Sequence, residues 1–418
     1  MARKGFALLL AALMVSATPA FATTSSDDPE ILFKDGKFFG EVRYRYEHVE
    51  QGDLSNEANA HTVRTNLGFK TGIYKDFQAA VEFQVIQNVG EENFNDTVNG
   101  NGTFPVVADP DAREVNQFWL SWSGLPQTKI TLGRQPINHD DQRFIGTIAW
   151  RQNDQSFDAL TITNKTIQDL DLSYSYVSNV NRIFGDDSNF GDLDSEIHLA
   201  RASYKVADWM TATGYGYWLD FDRLPLLSSQ TAGLRLTGWT PITDNWDFVY
   251  EAEAATQSDY ENNPTSYDEE YFHFLPGIRG YGFTLKAGYE ELGGDGTNAF
   301  QTPLATAHKF NGWADLFLNT PGRGLQDSYL HASYKASGTN TFLDGTNFVA
   351  RYHEFEADSN GDDFGSEFDW AISKKIKLPD NGQPFKDLNV LLKYADFESD
   401  DPAFPDTQRV WLQLGVKF

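Results

Sequence analysis

Between Leu132 and Asp158 the chain places three arginines, four aspartates and four glutamines close together: Arg134, Arg143 and Arg151; Asp140, Asp141, Asp154 and Asp158; Gln135, Gln142, Gln152 and Gln155. A guanidinium stays charged at every accessible pH and offers a planar fork of donors that matches a carboxylate. Two kinds of chemistry are open to it: recognition of an anion, or a network in which each arginine is spent on a neighbouring carboxylate. Phe144, Ile145, Ile148, Trp150 and Phe157 run through the same stretch. They would be wasted in water, so the stretch is expected to pack inside the fold as a hydrogen-bonded loop.

Other chemistry is poorly represented. The chain has no cysteine, which removes disulfides, thiolate metal sites and cysteine nucleophiles. Its eight histidines are scattered. The nearest acid pairing is His139 with Asp140, and a structural hydrogen bond between them is the simpler expectation. No nucleophile, base and orienting group converge, so no catalytic residue is assigned and a membrane hydrolase is disfavoured. Asp358-Ser359-Asn360-Gly361-Asp362-Asp363 resembles part of a calcium loop, but its glycine is misplaced for an EF-hand. No metal or cofactor is expected.

The elements that must hold these residues alternate with period two. About eighteen segments, from 38–48 through 113–123, 128–135, 155–163 and 246–256 to 408–418, put apolar and polar residues on opposite faces. Val42, Tyr44 and Tyr46 oppose Glu41, Arg43, Arg45 and Glu47; Trp246, Phe248 and Tyr250 oppose Asp247, Glu251 and Glu253. Connectors after even-numbered segments are mostly short and those after odd-numbered ones mostly long, a phase that blurs after the thirteenth. Short turns at one end and long loops at the other are the pattern of outer-membrane barrels. A charge facing lipid costs about 2–4 kcal/mol at the midplane. The charged faces are therefore expected to line water: Arg43, Arg45, Arg64, Arg235, Arg351, Glu251 and Glu253 by parity, with Arg201 and Arg279 of uncertain phase. These arginines either select anions or pair with lumen carboxylates, and parity alone does not choose. Aromatics including Tyr44, Tyr46, Tyr174, Tyr176, Tyr217, Trp218 and Tyr394 are expected in interfacial girdles. Trp411 is the exception, since its parity points inward.

The ends of the chain agree. Arg3 and Lys4, the apolar run from Gly5 to Val15 and Ala20-Phe21-Ala22 read as a secretory signal peptide over 1–22, cleaved after Ala22. A short periplasmic segment over 23–37 and a transmembrane antiparallel β-barrel over 38–418 follow. The last strand puts Val410, Leu412, Leu414, Val416 and Phe418 on one face. It is similar to the C-terminal signature read by the barrel-assembly machinery. The expected location is the Gram-negative outer membrane, with lipid and lipopolysaccharide as neighbours. A net charge of −27 excludes nucleic acid as a partner. The acidic clusters at 91–92, 186–187, 192–196, 362–363 and 400–401 keep outer loops solvated, or hold divalent cations that bridge lipopolysaccharide.

The run Gly133-Arg134-Gln135, Asp141-Gln142-Arg143-Phe144 and Trp150-Arg151-Gln152-Asn153, with Phe157-Asp158, resembles the signature of the alginate-export family of outer-membrane barrels. A second stretch, Thr302-Pro303-Leu304-Ala305-Thr306, His308, Phe310 to Asp315, Thr320-Pro321 and Gly324 to Asp327, resembles it too. The resemblance implies an eighteen-stranded barrel. It also implies a pore constriction at Arg134, Gln142, Arg143, Arg151 and Gln152, with Asp140, Asp141 and Asp158 as the partners that hold the arginines. The implied solute is anionic, a polysaccharide such as alginate at the extreme. This chain departs in presenting inward carboxylates near 246–256 and 364–376. A general or cation-preferring diffusion porin therefore stands beside anion passage, as does a plugged structural or adhesive barrel.

Overall fold

In the computed structural model the structure describes residues 27–338, 341–379 and 385–418. The leader expected over 1–22 and the start of the following segment lie outside them. A one-turn helix, α1 (Ile31–Lys34), precedes eighteen strands: β1 (Lys37–Gln51), β2 (Ala58–Lys70), β3 (Phe77–Asn88), β4 (Ala112–Leu125), β5 (Thr128–Gln135), β6 (Ser156–Asn164), β7 (Leu170–Asn181), β8 (Asp192–Ala207), β9 (Met210–Phe221), β10 (Ser229–Thr243), β11 (Trp246–Asp259), β12 (Asp268–Gly280), β13 (Phe283–Leu292), β14 (Leu325–Lys335), β15 (Thr346–Glu356), β16 (Asp363–Lys377), β17 (Asp387–Ser399) and β18 (Thr407–Lys417). Each pairs antiparallel with its sequence neighbours, and β1 also pairs with β18, with Arg45 opposite Gln413 and Glu47 opposite Trp411. The sheet is therefore a closed barrel with no free edge, the only sheet form that satisfies its backbone within a bilayer.

The two faces separate as period-two alternation demands. Outward, Phe38, Phe118, Leu132, Leu234, Phe274 and Leu330 are each more than half exposed. Inward, Arg43, Arg45, Arg64, Arg235, Glu253, Arg409 and Trp411 are buried. Such an inversion of the usual soluble pattern fits lipid outside and a filled polar interior. The connectors after even-numbered strands are short through β12, at 71–76, 126–127, 165–169, 208–209, 244–245 and 281–282. After β14 and β16 they lengthen, which is why the phase blurs there in the sequence. The longest connectors follow β3, β5 and β13. α1 lies at the short-turn end, where the Gly72 N–H donates to the Leu32 carbonyl at 3.0 Å.

One expectation fails within the girdle. Tyr217 shares its face with Tyr215 and Leu219 and is 2% exposed inside the barrel, packed on a loop phenylalanine and not on lipid. Tyr44, Tyr46 and Tyr174 do lie on the outer face, where Tyr44 and Tyr174 bond His61 and His198 at 2.8 and 2.7 Å.

The outward face makes a direct prediction. Leu330 is 61% exposed in mid-strand β14. Leu330→Arg should lower unfolding stability in lipid by about 2–4 kcal/mol, measured by denaturant titration in vesicles. Ser333→Arg, on the lumen side of the same strand, should cost far less. Equal losses at the two positions would contradict the assignment of faces.

Candidate functional site

Two loops fold into the barrel and meet there: the β5–β6 connector (136–155) and the β13–β14 connector (293–324). They join through a parallel bridge between Ile145 and Leu304. The Gly146 N–H donates to the Leu304 carbonyl at 2.9 Å, and the Thr306 N–H to the Gln142 carbonyl at 3.0 Å. Apolar side chains seat them. Phe144 lies among Tyr215, Tyr217, Tyr271 and Phe300, with ring centroids 5.3 to 6.1 Å away. Trp150 stacks on His308 at 4.3 Å and meets Trp411 edge-on at 5.9 Å. Burial first, then the charges of Lys393 and Arg151, push the His308 imidazole down to about 3, against the pull of Asp315. His308 is thus a neutral ring: its Nδ1 donates to Asp315 Oδ1 at 2.7 Å, and its Nε2 accepts from Lys393 Nζ at 2.6 Å.

Ion pairs then lock the loops to the wall. Arg151 Nη1 donates to Glu47 Oε2 at 3.1 Å and its Nη2 to Asp315 Oδ2 at 3.0 Å, while Arg409 reaches the other Glu47 oxygen at 3.1 Å. Arg143 Nε donates to Glu290 Oε1 at 2.7 Å and its Nη2 to Asn311 Oδ1 at 3.0 Å. Asp140 takes both arms of Arg201, at 3.0 and 2.6 Å. Asp141 pairs with Arg235 at 2.6 Å. Gln142 accepts from Thr306 Oγ1 at 2.7 Å. Gln152 bridges Arg43 Nε at 2.8 Å and Thr62 Oγ1 at 2.9 Å. Arg45 donates to Gln413 at 2.7 Å and lies 4.1 Å over the Trp150 ring. Arg64 pairs with Asp154 at 2.6 Å and with Glu41. Glu367 accepts from the backbone N–H groups of Trp313 and Ala314, the latter at 2.8 Å. That approach needs Gly312 at φ +82, where a Cβ would meet the Glu367 carboxylate at 2.3 Å.

The structure thus gathers Asp140, Asp141, Gln142, Arg143, Arg151 and Gln152 inside the lumen with Arg43, Arg45, Arg64, Arg235, Glu251 and Glu253. It excludes two residues. Arg134 and Asp158 form a bidentate pair, at 2.8 and 3.0 Å, on the outer face of the wall. Arg134 lies opposite Phe118 and two residues beyond Leu132, both more than 60% exposed. Cross-strand partners share a face, so Arg134 and Asp158 lie outward with Phe118 and not in the lumen. His139 also departs from expectation: its Nδ1 meets the Tyr217 hydroxyl at 3.1 Å, because Arg201 has claimed Asp140. Among the described residues one carboxylate–histidine group, His48, Glu50 and Glu57, brings its ligand atoms within 4.8 Å of one another. The acidic clusters of the outer loops do not converge in this way among the described residues.

A polar cavity of 160 Å³ lies between the loops and β11–β15. Lys286, Lys309, His331 and Arg351 line it together with the carboxylates Asp141, Glu251, Glu290 and Asp327. Lys286 pairs with Glu251 at 3.1 Å. Arg351 donates to the Lys309 carbonyl at 3.0 Å and has no carboxylate partner among the described residues. Lys309 is exposed and spends Nζ on the Asp141 carbonyl at 2.7 Å. Tyr329 lies flat on the wall here because its cross-strand partner is Gly288, where a Cβ would meet the ring at 2.2 Å. Of the cavity's basic residues only Arg351 is among the lumen-lining residues expected from the sequence. Lys309 sits in an irregular loop without a face to read, and Lys286 and His331 could have been found from strand parity.

Comparison with known proteins sets this architecture in context. No curated protein matches the sequence significantly. Solved barrels match it closely in shape. OccAB2 of Acinetobacter baumannii shares 14% identity over 93% of this chain and 99% of its own, with a TM-score of 0.72. OpdK of Pseudomonas aeruginosa, solved with vanillate, shares 15% over 93% and 99%, at 0.70. A second structure of OpdK, an outer membrane protein, shares 13% over 91% and 98%, at 0.69. At such identities the likeness speaks for the fold alone, a closed outer-membrane β-barrel. A sequence model of the family described as Alginate export matches residues 36–258, which include the loop with Arg143 and Arg151 but not the 302–327 stretch. Matched over more than half its length, the chain belongs to the alginate-export family of outer-membrane β-barrels.

Proposed function

We propose that this protein is an outer-membrane channel for small anionic solutes, and that its selective passage runs beside the paired loops, past Lys309 and Arg351. One observation carries this reading: around the cavity the carboxylates are engaged while cations keep free donors. Asp141 holds Arg235, Glu251 holds Arg235 and Lys286, and Glu290 holds Arg143. Asp327, also in the lining, is taken up by Asn311 and the His353 ring. A carboxylate solute would find the uncommitted N–H groups of Lys309 and Arg351. Rings of Arg and Lys select anions in pores on this basis. Arg143 and Arg151 are 3% and 5% exposed, so they brace the loops and do not touch solute. OpdK was solved with vanillate, an aromatic carboxylate, which is the class of solute suggested here. A polyuronate would present the same carboxylates, but a chain of linked sugars would pass only with the loops displaced. The segment before β1, with α1 at the short-turn end, is periplasmic in this reading.

Liposome swelling tests it. Vesicles holding the purified protein should admit benzoate-sized carboxylates faster than neutral sugars or amines of similar size. Faster entry of the amine would overturn the anion reading and favour a cation-preferring porin.

A further inference from the structure

The inward lysines are not spread evenly along the barrel. Lys37 and Lys70, Lys129, Lys335 and Lys377 all sit at the short-turn ends of their strands, β1, β2, β5, β14 and β16, on the lumen side by parity. All five are exposed, and none has a carboxylate partner among the described residues. Lys37 and Lys70 are direct cross-strand partners. Lys129 lies close enough to Lys70 for the two to repel. Like charges placed opposite each other in a sheet are destabilising, so this arrangement is held against its own electrostatics. The other mouth has the reverse sign: the acidic clusters at 91–92, 186–187, 192–196, 362–363 and 400–401 lie in or beside the long loops. The mouths are separated by the barrel height, several times the Debye length of about 10 Å at 0.1 M salt. Each mouth therefore sets its own local ion population.

We propose that the lysine mouth is a docking surface for multivalent anions on the periplasmic side, and that the opposed mouths make the channel conduct better in one direction. The proposal rests on the channel reading above and adds a polarity to it. When the short-turn side is negative, anions enter from the mouth that enriches them, and cations enter from the acidic mouth that enriches them. The pore fills with carriers. At the opposite polarity each ion must enter through the mouth that repels it, and the pore is depleted.

The test is a current–voltage curve in a planar bilayer with symmetric 0.1 M KCl. The chain has no cysteine, so Asn189→Cys in the exposed β7–β8 loop, modified by a membrane-impermeant thiol reagent, reports orientation. Current with the short-turn side negative should exceed the reverse by about twofold or more. The asymmetry should fade at 1 M KCl, where the Debye length is about 3 Å. Inorganic tripolyphosphate should block at about tenfold lower concentration from the short-turn side. Lys37→Gln, Lys70→Gln and Lys129→Gln together should straighten the curve. Should that variant misfold, Lys335→Gln with Lys377→Gln should weaken the asymmetry. A conducting channel with a linear curve and equal block from both sides would overturn the polarity and leave the anion channel standing. A folded barrel that never conducts would overturn both.

Discussion

Arg151→Ala should open the pore. The substitution leaves Glu47, Asp109 and Asp315 facing one another in the lumen, all three within ion-pair distance of Arg151 in the native protein. Removing one partner of a buried pair costs about 3–5 kcal/mol, because the remaining charge stays desolvated and unpaired. Arg409 holds one Glu47 oxygen and recovers part of this. The cheapest relief is for the 150–155 end of the loop to lift away from β1 while Arg143 and Phe144 hold the rest, since the wall itself is untouched: β1 keeps its ladders to both β2 and β18. Single-channel conductance should rise several-fold, while the folded barrel still migrates as a compact band on unheated gels. Arg134→Ala is the matched control. It lies in the same sequence motif, but its partner Asp158 is beside it on the outer face. Conductance should not change. Equal effects from the two substitutions would mean that the Arg151 network does not hold the loop.

Lys309→Glu should reverse ion selectivity. A unit charge about 5 Å from a permeating ion is worth about 1–3 kcal/mol at effective dielectric constants between ~80 and ~20. Changing Lys309 from plus to minus doubles that change, and a second reversal at Arg351→Glu reinforces it. Lys309 suits the experiment because it is exposed and its side-chain bond is to a backbone carbonyl, so no buried carboxylate is orphaned. Arg351 also lies 5.2 Å over the Trp313 ring, so its loss disturbs loop packing as well. Lys309→Arg should restore the anion preference. If Lys309→Glu shifts the reversal potential no more than a surface control such as Lys165→Glu, the solute path does not pass this residue.

The wall was far more legible than what it encloses. Alternation placed all eighteen strands, because a lipid-facing side chain and a lumen-facing one differ by several kcal/mol at every second residue. The 136–155 loop was legible as an interior loop, since Phe144 and Trp150 had nowhere else to go. Its partners were not. Arg151 finds Glu47 across 104 residues and Arg143 finds Glu290 across 147, and no local pattern encodes such distances. The role of the 293–324 loop in supplying Asp315, His308 and Lys309 was invisible for the same reason. Arg134 is a different case: its outward parity with Ile130 and Leu132 is legible in the sequence, and it separates Arg134 from the motif's other arginines.

Anion passage requires that the free donors at the cavity outweigh the carboxylates around them. The reversal potential of the purified, unmodified protein across a tenfold KCl gradient tests this most directly. A value displaced toward the chloride equilibrium potential is predicted. A value displaced toward the potassium potential would contradict the account.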